Sequence, residues 1–197
     1  MTALPTSQYS DHELWGKMKN GSQKAFTQLL KLYYNDLYFY GKRIAGSIVV
    51  AEDCIQEVFV DIWEKRESVS DVRRVKPYLM KAVRLRIIRR LSSRRHLVGE
   101  EAAPEQTAIT FSIEDEIIRQ QSTQEQSEQL HQALIQLSKR QKEVIYLKFF
   151  QGLSHEEIAA VMGLNKQSVK NLLHEALKKL RNILLSILLI ILAMLFQ

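Results

Sequence analysis

Cations and amides crowd residues 166–174, where Lys166, Gln167, Ser168, Lys170, Asn171 and His174 stand close together. An ammonium group positions on phosphate oxygens, and an amide offers the paired donor and acceptor that read a base edge in a major groove. His174 either joins these contacts or packs against a following helix. A second concentration lies upstream, where Arg84, Arg86, Arg89 and Arg90 follow Arg73, Arg74 and Lys76, and no acid interrupts residues 72–99. A solvated helix face ordinarily mixes signs, so this run points to a polyanion, nucleic acid above all. Enzymatic chemistry has no comparable footing: His12, His96, His131, His155 and His174 lack metal-ligand spacing or an acid-base constellation, and no phosphate-binding glycine loop occurs. The single thiol, Cys54, lies on an amphipathic stretch and reads as a buried small residue. Neither a metal nor a cofactor is expected.

The elements that must carry these groups are legible as helices. Around the first group, in GLSHEEIAAVMGLNKQSVKNLLHEAL, Ser154 and Glu157 form a capping box, and Ile158, Ala159 and Met162 line one face. Gly163 suits a left-handed stop; Asn165 then caps a second helix in which Val169, Leu172, Leu173 and Leu177 recur at helical spacing. This is a helix-turn-helix, preceded by a helix from Ser138 that runs to Phe150 and is closed by Gly152, and by a weakly amphipathic one up to Leu137. In the amino-terminal half, Ser10 and Glu13 open a short helix that stops at Asn20-Gly21. A long helix with the stripe Phe26, Leu29, Leu30, Tyr33, Leu37 and Tyr40 follows. A third, over residues 50–66, buries Ile55, Val58, Phe59, Ile62 and Trp63 and shows Glu52, Asp53, Gln56 and Glu57 near its start, where acids suit the helix dipole. A loop ending at Pro77 leads to the arginine helix, whose Leu79, Val83, Ile87 and Leu91 recur every four residues. No strand-like alternation persists, so the class is all-α: two small helical domains, the second of four helices, joined by a flexible acidic linker.

Charge divides the chain in the same way. Residues 20–96 carry 16 basic and 8 acidic side chains, residues 97–128 carry 1 and 8, and residues 129–182 carry 9 and 4, within a net charge of +6. Two cationic modules imply two contacts with a polyanion, with a connector that phosphates repel. The expected boundaries are 1–96, a linker over 97–125, a helix-turn-helix domain over 126–182 and an apolar tail over 183–197. One cysteine excludes an intramolecular disulfide, and MTALPTSQYS lacks the apolar core of a signal peptide, so a cytoplasmic protein is expected. The tail, ILLSILLIILAMLF, follows Lys178, Lys179 and Arg181. As a helix it is about 21 Å long, short of the roughly 30 Å core of a bilayer. It suits the inner face of a membrane or an apolar groove of a protein.

Two blocks, AEDCIQEVFVDIWEKR with the arginine helix after it and LIQLSKRQKEVIYLKFFQGLSHEEIAAVMGLNKQSVKNLLHEALKKLR, carry a family resemblance. In this order, around an acidic linker, they resemble a bacterial extracytoplasmic-function sigma factor over about residues 10–182. The resemblance implies a subunit that lends promoter specificity to RNA polymerase, with no catalysis of its own. It implies that Asp53, Gln56 and Glu57 grip core polymerase. The loop Ser68 to Lys76, with Arg73, Arg74 and Lys76, and the following helix would engage the minus-ten element, and Arg84, Arg86, Arg89 and Arg90 would hold the strand backbone. Lys166, Gln167, Ser168, Lys170, Asn171 and His174 would meet the minus-thirty-five element. An anti-sigma factor is a further expected partner. Two positions depart from the family's pattern: Leu85 stands where many relatives have Asn, and Glu175 where they often carry Arg, so a distinct promoter sequence is expected. The rival reading is a stand-alone helix-turn-helix regulator, membrane-associated through its tail.

Overall fold

The computed structural model describes residues 9–97 and 134–195, and side chains over 9–93 and 134–181. The chain divides into two compact units, Met1–Gln106 and Thr107–Gln197. Among the described residues every regular element is helical. Beyond Leu97, the expected linker over 97–125 and most of the weakly amphipathic helix before Leu137 lie outside the described residues.

The first unit holds α1 (Asp11–Lys19), α2 (Gln23–Ala45), α3 (Ile48–Glu64) and α4 (Val75–Leu97). Capping sets their ends. Ser10 and Glu13 close a reciprocal box on α1, Ser22 caps α2, and Ser47 caps α3. Gly46 ends α2 at φ 65°, a left-handed position that a glycine takes without steric cost. Leu29, Leu37, Tyr40 and Ile44 of α2 pack with Ile55 and Val58 of α3 and with Leu79, Val83 and Ile87 of α4, all buried. The three helices approach closely at Gly41, where an added Cβ would lie 3.3 Å from the Ala51 Cβ and 3.4 Å from the Ile87 Cδ1. The helix α4 begins at Val75, ahead of the loop end expected at Pro77, because proline lacks an N–H that the first turn does not use.

The second unit holds α5 (Lys139–Ile145), a π-helical turn at Tyr146–Phe150, α6 (His155–Met162) and α7 (Lys166–Leu195). Capping boxes open α5 at Ser138 and α6 at Ser154. The helix expected to run evenly to Phe150 instead widens after Ile145: the Gln151 N–H reaches back five residues to the Tyr146 carbonyl, and the Gln151 amide donates to the Tyr146 hydroxyl at 2.9 Å. Val144, Leu147, Ile158, Val161, Val169 and Ala176 form the core. Leu177, expected on that apolar face, is 43% exposed, and Ala176 takes the buried place one residue earlier.

Candidate nucleic-acid and partner interfaces

An acidic face and an arginine face meet on the first unit. At about 100° per residue, Val49, Asp53, Gln56 and Val60 fall within an arc of about 60° on α3, with Glu57 and Asp61 turned further round. Those last two meet α4. The Arg86 guanidinium bridges Glu57, at 3.3 Å, and Asp61; the Arg90 guanidinium bridges Asp53, at 3.0 Å, and Glu57. Five charged groups thus form a ladder between the two helices, with Glu57 taking both arginines. Their side chains are about one-third to one-half exposed, so each pair contributes only about 0–1 kcal/mol by itself, but the connected ladder fixes where the carboxylates stand.

This ladder corrects the reading of residues 72–99 as an unopposed cationic rail. The opposing acids come from α3, a helix away in sequence and adjacent in space. Arg84 is only 5% exposed, so it presents no cation to a strand, and Arg86 and Arg90 are already committed to carboxylates. Arg89 remains exposed, as do Arg73 and Arg74 in the loop, whereas Lys76 pairs with Asp36 of α2 at 2.9 Å. On α3, Gln56 is exposed, flanked by Val49 at 66% and Val60 at 53% exposure. Sequence reasoning missed those two valines, although their offset from the stripe Ile55, Val58, Phe59 and Ile62 could have marked them as outward. Beside this seam, Tyr34 and Tyr38 of α2 stack 6.3 Å apart. Burial first, and then the charge of Glu52, raise the Tyr34 hydroxyl above its ordinary range.

Below the ladder, α3, α4 and the loop between them enclose a cleft of about 240 Å³. Val58, Ile62, Val69, Tyr78, Ala82 and Leu85 make its apolar walls, and Asp61, Lys65, Arg86 and Arg89 its charged rim. A cleft with apolar walls and a charged rim has the chemistry to admit a planar ring while a charged attachment stays at the rim. Leu85, the departure noted above, is part of the wall. Cys54 is fully buried, and that burial pushes its thiol up, consistent with a packing role.

On the second unit, Gly163 ends α6 in the left-handed conformation, with the Gly163 and Leu164 N–H groups both returning to the Ala159 carbonyl. The Asn165 side chain caps α7 through the Ser168 N–H at 2.7 Å. Val169, Leu173 and Ala176 face the core, which leaves Gln167, Lys170, Asn171 and His174 exposed along one side. Gln167 donates to Asn171 at 2.9 Å, joining the two amides. Lys166 is held by Glu156 of α6, and Ser168 is half-buried at the cap. His174 is exposed, and α7 continues past it without a break. Glu175 accepts from the buried Gln141 amide at 3.4 Å, and Lys179 donates to the same Gln141 at 3.3 Å, tying α5 to α7. Of the tail, the backbone is helical to Leu195; its side chains lie outside the described residues. Among the described residues, no helix is long and apolar enough to cross a membrane.

Residues 29–97 match the family described as sigma-70 region 2, and residues 127–180 match sigma-70, region 4. The chain is 30% identical over 175 residues to the ECF RNA polymerase sigma factor SigL of Mycobacterium tuberculosis, covering 82% of this chain and 92% of that protein. It is 25% identical over 171 residues to the ECF RNA polymerase sigma factor SigW of Bacillus subtilis, covering 84% and 91%. In fold it is similar to CnrH, solved in complex with the cytosolic domain of CnrY, at a TM-score of 0.58 and 22% identity over 89% of this chain and 97% of that one. The sigma factor RpoE, solved with the anti-sigma factor NepR from Bartonella quintana, gives the same TM-score at 23% identity, covering 82% and 97%. Both sigma-70 regions, in order and on separate helical units, together with a relative at this identity across most of both chains, establish that the protein belongs to the ECF group of the sigma-70 family.

Proposed function

We propose that the protein is a promoter-specificity subunit of bacterial RNA polymerase, itself non-enzymatic and without a cofactor. Core polymerase docks on the α3 seam, where Gln56 supplies hydrogen bonds, Val49 and Val60 supply apolar contact, and Asp53 supplies charge. The loop after α3 and the cleft beside it take the minus-ten element: opening a duplex costs a few kcal/mol per unstacked step, and a receiving cleft rimmed by Arg89 offsets that cost. The start of α7 enters the major groove of the minus-thirty-five element, with Lys170 on phosphate and Gln167 and Asn171 on base edges.

The observation that carries this reading is the pairing of both sigma-70 regions in one chain with an outward amide stripe at the start of α7. Working with polymerase places the protein in the cytoplasm, and a regulatory anti-sigma factor is a fitting second partner. Residues 183–196 provide an apolar docking segment, for which liposome flotation separates a membrane surface from a protein groove. The decisive experiment is capture of core RNA polymerase by the purified protein, with and without residues 183–197, followed by transcription from a pooled promoter library. Binding with selective initiation is expected. Failure of both forms to bind core, alongside specific duplex binding by the protein alone, would replace this reading with a stand-alone regulator.

A further inference from the structure

Helix α1 bears none of the residues assigned above to polymerase or DNA, yet it is tied to the loop that borders the cleft. Trp15 is 1% exposed, and its indole N–H donates to the Ser70 carbonyl at 3.2 Å, across 55 positions of sequence. The same ring meets Tyr78 edge to face, with centroids 5.2 Å apart and planes at 72°. Tyr78 is itself a wall of the cleft, and Ser70 adjoins Val69, another wall. One side chain of α1 therefore touches both the loop side and the α4 side of the same opening. A second, weaker tie joins His12 to Asp71 at 3.5 Å, with both side chains more than half exposed. The same amino-terminal end of α1 is fixed to α2, because the Tyr33 hydroxyl donates to the Asp11 carboxylate. The near end of the loop is closed locally, with the Ser68 and Val69 N–H groups bonded to the Lys65 carbonyl. Its middle is reached from α1.

We propose that Trp15 is a positioning residue for strand capture: by holding the Ser70 carbonyl and the Tyr78 ring together, it sets the opening that an unstacked base enters. The inference rests on the reading of the cleft as the minus-ten site. A buried indole would satisfy packing alone with its ring; a phenylalanine supplies nearly as much apolar bulk but no N–H. The hydrogen bond to a loop carbonyl is thus separable from the packing, and so is its consequence.

The test uses the full chain with core polymerase and a fork DNA taken from a promoter recovered in the library, carrying 2-aminopurine at the unpaired minus-ten position. Trp15→Phe is compared with Leu14→Val, which trims a buried side chain of α1 and leaves the Trp15 indole in place. Losing one hydrogen bond is expected to weaken capture of the unpaired strand about fivefold in Trp15→Phe, with core affinity within about twofold of wild type and Leu14→Val normal in both. Unchanged capture in Trp15→Phe overturns the proposal. So does a parallel loss of core affinity and capture, or an equal loss in Leu14→Val, since either would reduce Trp15 to a stabilising core residue. A wild-type protein that binds core but leaves the probe stacked would overturn the cleft reading itself, and the proposal with it.

Discussion

Lys170 and Asn171 are neighbours near the start of α7, both exposed, yet the proposed function gives them different physical work. A lysine on phosphate contributes charge that counterions reward equally on every sequence, whereas an amide on a base edge discriminates. Lys170→Ala should therefore weaken minus-thirty-five binding on all duplexes and reduce the salt slope by about 0.9, while Asn171→Ala should cost about 1–3 kcal/mol on the preferred sequence and little on others. Competition binding at two salt concentrations separates them; identical behaviour would show that Asn171 does not read a base. The neighbouring Lys166 is restrained by Glu156, whose carboxyl is held below its usual range chiefly by the hydrogen bond from Lys166 and then by a backbone N–H. A carboxyl depressed in the folded state contributes stability that is present above its unfolded value and is lost as pH falls through the folded value. The melting temperatures of wild type and Glu156→Gln should accordingly differ at neutral pH and converge in strong acid. The same substitution frees Lys166, so duplex affinity should rise and become more salt-dependent. A melting difference that persists unchanged into strong acid would mean that the ion pair is not its source.

The α3–α4 ladder shows how an element's neighbour can alter the meaning of its charges. Read along α4 alone, Arg86 and Arg90 belong to a cationic surface; packed against α3, they neutralise Glu57, Asp61 and Asp53. On the proposed reading, nucleic acid would compete with carboxylates for these arginines. Replacing Glu57 and Asp61 by amides should raise the affinity of the free protein for a single-stranded oligonucleotide and steepen its salt dependence. Replacing Glu52 and Glu64, two acids outside the ladder, should do so much less. If adding Arg86→Gln and Arg90→Gln to the first pair leaves the gain intact, the arginines are not what it released. Legibility followed the same division between local and long-range order. The caps at Ser10, Ser138, Ser154 and Asn165, and the stop at Gly163, could be read because each is decided within four or five residues. The outward stripe at the start of α7 was readable for the same reason, since core and outward residues alternate within one helix. The pairing of Lys76 with Asp36 and the reach of Trp15 to Ser70 were not, because their partners lie far along the chain in other elements, and the burial of Arg84 left no local mark either. The π-helical turn at Tyr146 left no periodic signature either, as one widened turn shifts the apolar pattern by a single residue.

Across the whole molecule, charge is arranged in blocks, and the middle block opposes the other two. Residues 20–96 and 129–182 both carry an excess of cations, whereas residues 97–128 carry 8 acids against 1 base. A protein that must choose a promoter among a vast excess of other DNA gains little from non-specific affinity, because that affinity enlarges the pool of competing sites in step with the target. We expect the acidic block to lower it without removing any contact from the proposed DNA-facing surfaces. Changing Glu100, Glu101, Glu105, Glu114, Asp115 and Glu116 to amides removes six negative charges from a chain of net charge +6. Non-specific duplex binding should then strengthen at low salt, with the difference fading as the Debye length shrinks toward about 3 Å near 1 M. Selective initiation from the pooled library should fall in parallel, even though every residue of the α3 seam, the cleft and the α7 stripe is intact. Binding to random-sequence DNA and promoter selectivity, measured across the same salt series, test the two halves of this argument together. Stronger random binding with undiminished selectivity would mean that polymerase, rather than the chain's own charge pattern, suppresses the wrong sites.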